Sequence, residues 1–586
     1  MSAEVENKSD PIEMDDKCEM TQETVGEISP ADEDPYAYLS RDFSSENFKI
    51  EIKNMPRYYG ICEFRKLLNN TLKLNSNKIK TPKRNSSYAF VCFRNEEDRD
   101  KAIKVLTEYK WKGKQLHAIY AKPSADPLVK KRKKEFDDNN ASKKQKNYNL
   151  PVNDQIKLST IPLVDTEYEK QLSLKQEEIA SILCNLGKDL ASANLEIQSY
   201  IEKQQEKYNG LPCELMDIRF SNEINGYRNK CEFTIGINQE NQLPTVGFRI
   251  CAYVNGTTAI GPVEHLDHIP DSMKLAVKVF EEFVRSSDLE VFNAEFQTGH
   301  LKQFSVRTAP EQLMVIVGIH PQKLPSEKIA EFKEKLIEFF SKGPGKDAKV
   351  TSLYYEEIVK RGPGESRIPA TFLWGETHNF ETIMGLKFRI SPEAFFQVNT
   401  KAAEVLYQSA IELAEPTENS TMIDVCCGTG TIGLSFAKHC GQILGLEIVP
   451  QAIVDAKENT IINNITNSDF FVGKAEDILG SVCYNSKFED VFAVVDPPRA
   501  GLHQKAVQQL RKIKKINRLI YISCNPKMAS KNFVDLGRRE TKYLQGECFV
   551  PVKAVAVDLF PHTNHCELAI LFKRWDLVKK ELPTID

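Results

Sequence analysis

"DVCCGTGTIG", residues 424–433, decides how this chain is read. An apolar run, "TMIDVCC" (421–427), feeds a turn with glycines at 428 and 430, and a helical pattern follows. Glycines at a first strand-to-helix turn let the backbone approach a ligand closely. Further apolar runs follow at "QILGLEIV" (442–449), "DFFVG" (469–473), "VFAVVDPP" (491–498) and "RLIYISC" (518–524), with helical patterns among them. Alternation of this kind predicts a parallel, doubly wound α/β sheet.

Ligands of open α/β sheets bind outside the carboxyl ends of the strands. At the end of the second strand stands Glu447, seventeen residues past Gly430, where a carboxylate can accept both ribose hydroxyls of a bound nucleoside. The fourth strand closes on Asp496 in "DPPRAG" (496–501), and the fifth on Cys524 in "SCNP" (523–526). "FPHTNHCELAILF" (560–572) reads as the corner of a terminal hairpin, with Glu567 just inside its second strand. Gly428, Glu447, Asp496 and Cys524 are therefore expected on one edge, although far apart in sequence. Packing alone gives no reason for a thiol, a carboxylate and a glycine-rich turn to converge there.

The first turn lacks the G-x-G-x-x-G spelling of dinucleotide folds and resembles the D-x-x-x-G-x-G turn of S-adenosylmethionine (SAM) methyltransferases. A thiol beside a carboxylate suits one methylation in particular. C5 of uracil is too weak a carbon nucleophile to take a methyl group from a sulfonium unaided. A thiolate adding to C6 makes C5 enolate-like, and a base must then remove the C5 proton before the thiol can leave. "GYRNK" (226–230), "FFQVN" (395–399), "DPPR", "SCNP" and "FPHTNHCE" occur in that order. Residues from about 350 to 586, together with "GYRNK", resemble the RNA uridine-5-methyltransferase family. The resemblance implies Cys524 as nucleophile and Glu567 as proton acceptor. It also implies that Gln397, Gly428, Glu447 and Asp496 contact the methyl donor or the uracil edge, and that tRNA is the substrate. Cys426 stands where bacterial relatives often place an aromatic beside the cofactor. Some relatives carry an iron–sulfur cluster on closely spaced cysteines; the fourteen cysteines here include no C-x-x-C pair, so neither a cluster nor a metal is expected.

Upstream, residues 1–40 hold twelve Asp/Glu against two Lys, and residues 1–45 read as a disordered acidic tail. Strand and helix patterns from 46 to 124 form two βαβ-like halves, resembling an RNA recognition motif (RRM) of ferredoxin-like βαββαβ topology. "SSYAFVCF" (86–93) matches the last six positions of its inner strand motif and offers Tyr88 and Phe90 for base stacking, while Glu51 replaces a usual aromatic. Residues 125–165 read as a basic linker whose "KKRKK" (130–134) and "KKQK" (143–146) suit nuclear import or RNA phosphates. Residues 166–349 read as a helical segment and a central α+β domain that faces RNA through Arg228 and Lys230; residues 350–586 read as the catalytic domain. The expected whole is thus α/β: a Rossmann-like SAM-dependent core, a central α+β domain and an RRM.

The net charge of −4 averages over this asymmetry. No apolar run reaches the roughly 18 residues of a membrane span. A monomer in cytosol and nucleus, with no membrane partner, is expected; other structured RNAs such as mRNA stay open as substrates. An N-methyltransferase would place an aromatic where Arg499 stands and has no use for Cys524. Cytosine-5 methylation shares the thiol addition but in other local sequence settings. An RNA-folding protein with a secondary catalytic core is the third alternative. His562 and His565 have no third ligand in the sequence and read as corner hydrogen-bonding groups.

Overall fold

The computed structural model describes residues 48–121 and 150–581, apart from 57–58, 82–85, 94, 239, 251–258, 295–296 and 360–367. The expected acidic tail and both lysine clusters lie outside these residues. Two compact units are separated near residue 149.

In the first unit, strands Lys49–Lys53, Lys78–Lys80, Tyr88–Cys92 and His117–Tyr120 form one antiparallel sheet, with Lys49–Lys53 and Tyr88–Cys92 in the middle. Alternation sorts the strands: Ile50, Ile52, Ala89 and Val91 are buried with Phe64, Leu68 and Leu106 from the helical segments. Tyr88 and Phe90 stand on the other face, ring centroids 5.7 Å apart and nearly perpendicular. Glu51 is paired opposite Phe90, and the Lys49 ammonium lies 4.7 Å from its ring.

The second unit holds two large sheets. Five parallel strands, Ser468–Val472, Gln442–Glu447, Ser420–Val425, Asp490–Val495 and Ile516–Ser523, lie side by side in that order. The direction of winding reverses between Ser420–Val425 and Asp490–Val495, which opens a crevice at their carboxyl ends. Strand Glu567–Arg574 follows antiparallel to Ile516–Ser523, then Phe549–Asp558, and finally Glu214–Phe220 parallel to it. The seven-stranded central sheet runs from Ile260–Gly261 through Leu301–Ala309 to Thr371–Gly375.

The chain crosses between these sheets on both sides of residue 350. Strand Glu214–Phe220 precedes that position yet completes the catalytic sheet; Thr371–Gly375 follows it yet closes the central one. Helix Tyr168–Ala193 also packs on the catalytic layer, its Ile179, Leu183 and Leu190 joining a core with Phe533 and Phe549. Part of the stretch read as linker is helical: Val152–Thr160 buries Val152 and Ile156, one turn apart, in the central core. Among the described residues no helix is long and apolar enough to cross a membrane.

Helix Tyr168–Ala193 also buries polar groups. Lys175 Nζ lies 2.7 Å from Asp558 Oδ1 and 3.0 Å from the Phe560 carbonyl, and both charged side chains are almost wholly inaccessible. Tyr168 Oη and the Phe560 amide donate to the same carboxylate. Lys175→Met removes the cation and leaves Asp558 buried, so a loss of about 3–5 kcal/mol is expected in urea unfolding. Lys175→Met with Asp558→Leu should recover most of it; a single variant within about 1 kcal/mol of wild type contradicts this reading of the pair.

Candidate active site

The strand carrying Cys524 stops for a local reason. Asn525 is the N-cap of helix Pro526–Gly537, its Oδ1 accepting from the Met528 amide at 3.2 Å, and Pro526 fills the first helical position. The thiol is left half-buried at the strand end. In the neighbouring strand Leu568 pairs with Ser523, so one step further the register sets Glu567 opposite Cys524. Glu567 is 2% exposed, and its Oε2 has no hydrogen-bond partner.

Asp496 ends the fourth strand and accepts from Gln397 Nε2 at 3.1 Å. Gln397 is delivered by a loop that the "GYRNK" segment holds in place. Asn229 donates from its amide nitrogen to the Val398 carbonyl (2.8 Å), and from Nδ2 to the Gln397 carbonyl (2.9 Å) and Thr400 Oγ1 (3.0 Å). Asn399 Nδ2 continues to the Leu559 carbonyl at 3.1 Å, tying the same loop to the hairpin corner.

The electrostatics of the group are coupled. Burial, then Asp496, hold the Glu567 carboxyl well above the usual carboxylate range. Burial raises Asp496 to about 7 despite the Gln397 hydrogen bond. Burial first, then Glu567 and Asp496, push the Cys524 thiol up to about 11. Arg499 opposes this with its positive charge. Its guanidinium also favours ionised Glu567. Two carboxyls and a thiol thus compete for negative charge around one cation.

Beside them lies a cleft of about 310 Å³ lined by Cys426, Leu446, Glu447, Ile448, Leu502 and Ala506, among others. Glu447 accepts from the Gly428 amide at 3.3 Å and the Val449 amide at 3.0 Å. Gly428 has φ +54°, and a Cβ there would face open space, so its backbone is bare toward a ligand. Asp424, fully buried, accepts from the Gly433 amide at 2.8 Å while its Oδ1 is unpartnered. Burial pushes it up to about 7, and Asp496 and Glu447 add to the shift. An apolar slot whose wall carries the Glu447 carboxylate, with the bare Gly428 backbone beside it, fits a nucleoside.

The edge therefore gathers Gln397, Gly428, Glu447, Asp496, Cys524 and Glu567. Arg228 Nε donates to the Lys230 carbonyl at 3.0 Å, and Lys230 Nζ lies 3.1 Å from Glu232; both basic residues border the "FFQVN" loop. Tyr88 and Phe90 belong to the other compact unit. Two participants were absent from the sequence-derived site. From the sequence Arg499 only excludes another reaction, although a cation three residues beyond a buried acid is a readable signal. Asp424 stands in the turn motif with no role legible from the sequence. His562 uses both ring nitrogens, toward Gln171 Nε2 (3.2 Å) and Asn225 Oδ1 (2.9 Å). Among the described residues no cluster of three or more His, Cys, Asp or Glu is arranged to hold a metal.

Strand order, glycine-rich first turn and nucleoside-sized slot together define the class as a Rossmann-like methyltransferase core. A family profile described as tRNA (Uracil-5-)-methyltransferase matches residues 382–575. The chain is 42% identical to the Mus musculus tRNA (uracil-5-)-methyltransferase homolog A, over 92% of this chain and 86% of that protein. It is 40% identical to the Homo sapiens homolog A, over 92% and 85%. The chain belongs to the tRNA (uracil-5-)-methyltransferase family. Among solved structures, the Pyrococcus abyssi tRNA (uracil-54, C5)-methyltransferase in complex with S-adenosyl-L-homocysteine matches at 23% identity and a TM-score of 0.48, covering 69% of this chain and 83% of that one.

Proposed function

We propose that this enzyme forms 5-methyluridine in the T-loop of tRNA with SAM as methyl donor. The observation that carries the reading is the strand register setting Glu567 opposite Cys524, with Asp496 and Gln397 alongside. The donor supplies a methyl group on a sulfonium, an electrophile that needs only a carbon nucleophile. Glu447 and the bare backbone at Gly428 hold its nucleoside end. Gln397 and Asp496 take the donor or the polar edge of a flipped-out uracil.

Ionised Cys524 adds through Sγ to C6, and the C5–C6 π pair shifts toward O4. C5 then forms its bond to the methyl carbon as the sulfonium bond breaks, releasing the neutral thioether. Glu567, ionised at that stage, takes the C5 proton; the C5–C6 double bond re-forms and the C6–S bond breaks. Cys524 returns as thiolate, and Glu567 gives its proton to solvent. Arg499 favours both ionised forms in turn.

RNA contacts extend to Arg228 and Lys230, and to Tyr88 and Phe90 if the first unit serves as an RRM; its solvent-facing aromatic pair favours that use. Other structured RNAs such as mRNA, a monomeric state and residence in cytosol and nucleus complete the reading. It is tested by incubating the enzyme with labelled SAM and unmodified tRNA, digesting to nucleosides and mapping the label. Labelled 5-methyluridine in the T-loop is expected; label on an exocyclic amine or on cytosine overturns it.

A pH profile follows from the thiol. Because Cys524 sits near 11 in the free enzyme, its thiolate fraction grows about tenfold per pH unit below that value. kcat/KM should therefore rise steeply from pH 6 to 9, and a flat profile contradicts rate control by this ionisation. Arg499→Met removes the opposing cation and should displace the rise to higher pH.

A further inference from the structure

Helix Pro526–Gly537 starts two residues after Cys524 and carries cations away from it. Lys527 and Lys531 are exposed and one turn apart on the same face. Arg538 caps the far end and Arg539 follows it, both exposed. Helix stability does not explain the row, because a cation in a first turn opposes the helix dipole and Lys527 stands there. Lys527 pairs with Glu178 of helix Tyr168–Ala193, and Arg538 with Asp535 at 3.2 Å. Lys531, Arg539 and Lys542 have no ion-pair partner among the described residues.

The row ends on a turn that is held in place. Thr541 and Leu544 exchange backbone hydrogen bonds at 3.0 and 3.2 Å, which leaves Lys542 and Tyr543 at the tip; Tyr543 is 80% exposed. Behind the tip lies Arg511, almost wholly buried, which donates to the carbonyls of Asp535 and Arg538 (both 2.7 Å) and from Nη2 to that of Gly546 (2.6 Å). Gly546 has φ +93°, and a Cβ there would lie 2.5 Å from the Arg511 carbonyl carbon, so the turn is clamped to the end of helix Gln504–Lys512. Lys512 and Lys514 add exposed positive charge at that end. A buried guanidinium thus fixes an exposed tyrosine among cations, and an aromatic fixed in advance loses little freedom on binding.

We propose that this row is an RNA track: phosphates of the tRNA segment leading away from the target loop lie along Lys527, Lys531 and Arg539, and Tyr543 stacks on an unpaired base at the far end. This rests on the proposed function, which puts the target uridine at Cys524. The helix of 12 residues is about 18 Å long, over which one strand of a duplex presents roughly five phosphates. A row of cations fits a polymer of evenly spaced charges, and the aromatic tip favours nucleic acid over an acidic peptide.

The test compares two double charge reversals: Lys531→Glu with Lys542→Glu on the track, and Lys438→Glu with Lys457→Glu, exposed residues outside it. Both change the net charge equally, so a general field effect moves both alike. The track pair should weaken binding of full-length tRNA on the order of tenfold and flatten its salt slope by about 1.4–1.8, two phosphate contacts at 0.7–0.9 each. kcat at saturating tRNA should stay at the wild-type value, as should affinity for the T-loop closed by the shortest stem that folds. Tyr543→Ala should weaken full-length tRNA several-fold and leave the slope unchanged. Equal loss from both charge pairs, a loss on the short hairpin as large as on full-length tRNA, or wild-type binding by Tyr543→Ala overturns the proposal. So does wild-type affinity and slope in the track pair, which leaves the row to an acidic protein segment. If wild type yields no 5-methyluridine on intact tRNA, the functional reading fails, and the binding comparison still reports on the track.

Discussion

Cys524→Ala abolishes methyl transfer and leaves tRNA affinity within about twofold of wild type. Without the thiolate there is no adduct, and C5 stays an ordinary vinylic carbon that cannot take the methyl group. The side chain lost is small and half-buried at a strand end, so the sheet beneath it is undisturbed. A fall of at least about 10⁴-fold in single-turnover rate is expected, roughly 5.5 kcal/mol of barrier. Labelled donor with saturating tRNA measures it. Turnover within tenfold of wild type, about 1.4 kcal/mol, removes Cys524 as the nucleophile.

Glu567→Gln separates the two halves of the reaction. Cys524 still adds and the methyl still moves, but the C5 proton has no acceptor and the C6–S bond cannot break. A protein–RNA species should accumulate that survives denaturant and requires both SAM and Cys524. Denaturing gel electrophoresis with labelled tRNA would show it as a slow band near stoichiometric with enzyme. The amide is nearly isosteric with the carboxyl, and Glu567 already sits well above the usual carboxylate range, so the fold should accept it. Normal turnover, or no adduct in a folded variant that still binds SAM, removes Glu567 as the acceptor. His562 is then a poor substitute, because both its ring nitrogens are engaged; His565, which lines a cleft with Cys524, is the better candidate.

What was legible in the sequence followed a physical rule. Strands buried on both faces read as unbroken apolar runs, and Val491–Val495 is fully buried. Their carboxyl ends then collect the ligand groups whatever their separation along the chain, which made Glu447, Asp496 and Cys524 readable from position alone. Strand Glu214–Phe220 was not assignable to a sheet. "ELMDIRF" alternates like any half-covered edge strand, and nothing local tells it that its neighbour is Phe549–Asp558. Helix Val152–Thr160 was hidden in a polar, basic stretch whose few apolar residues happen to fall one turn apart.

The late arrival of one strand shapes how the protein is made. Glu214–Phe220 is synthesised before most of the catalytic sheet, yet its partner Phe549–Asp558 follows only after residues 221–548. At 5–20 residues per second, residues 221–548 take roughly 15–65 s to appear. During that interval the nascent chain carries an unsatisfied strand edge and the apolar face of helix Tyr168–Ala193, which must be shielded from neighbouring chains. A chain broken before residue 549 never receives the partner strand, so Glu214–Phe220 keeps an open edge in it.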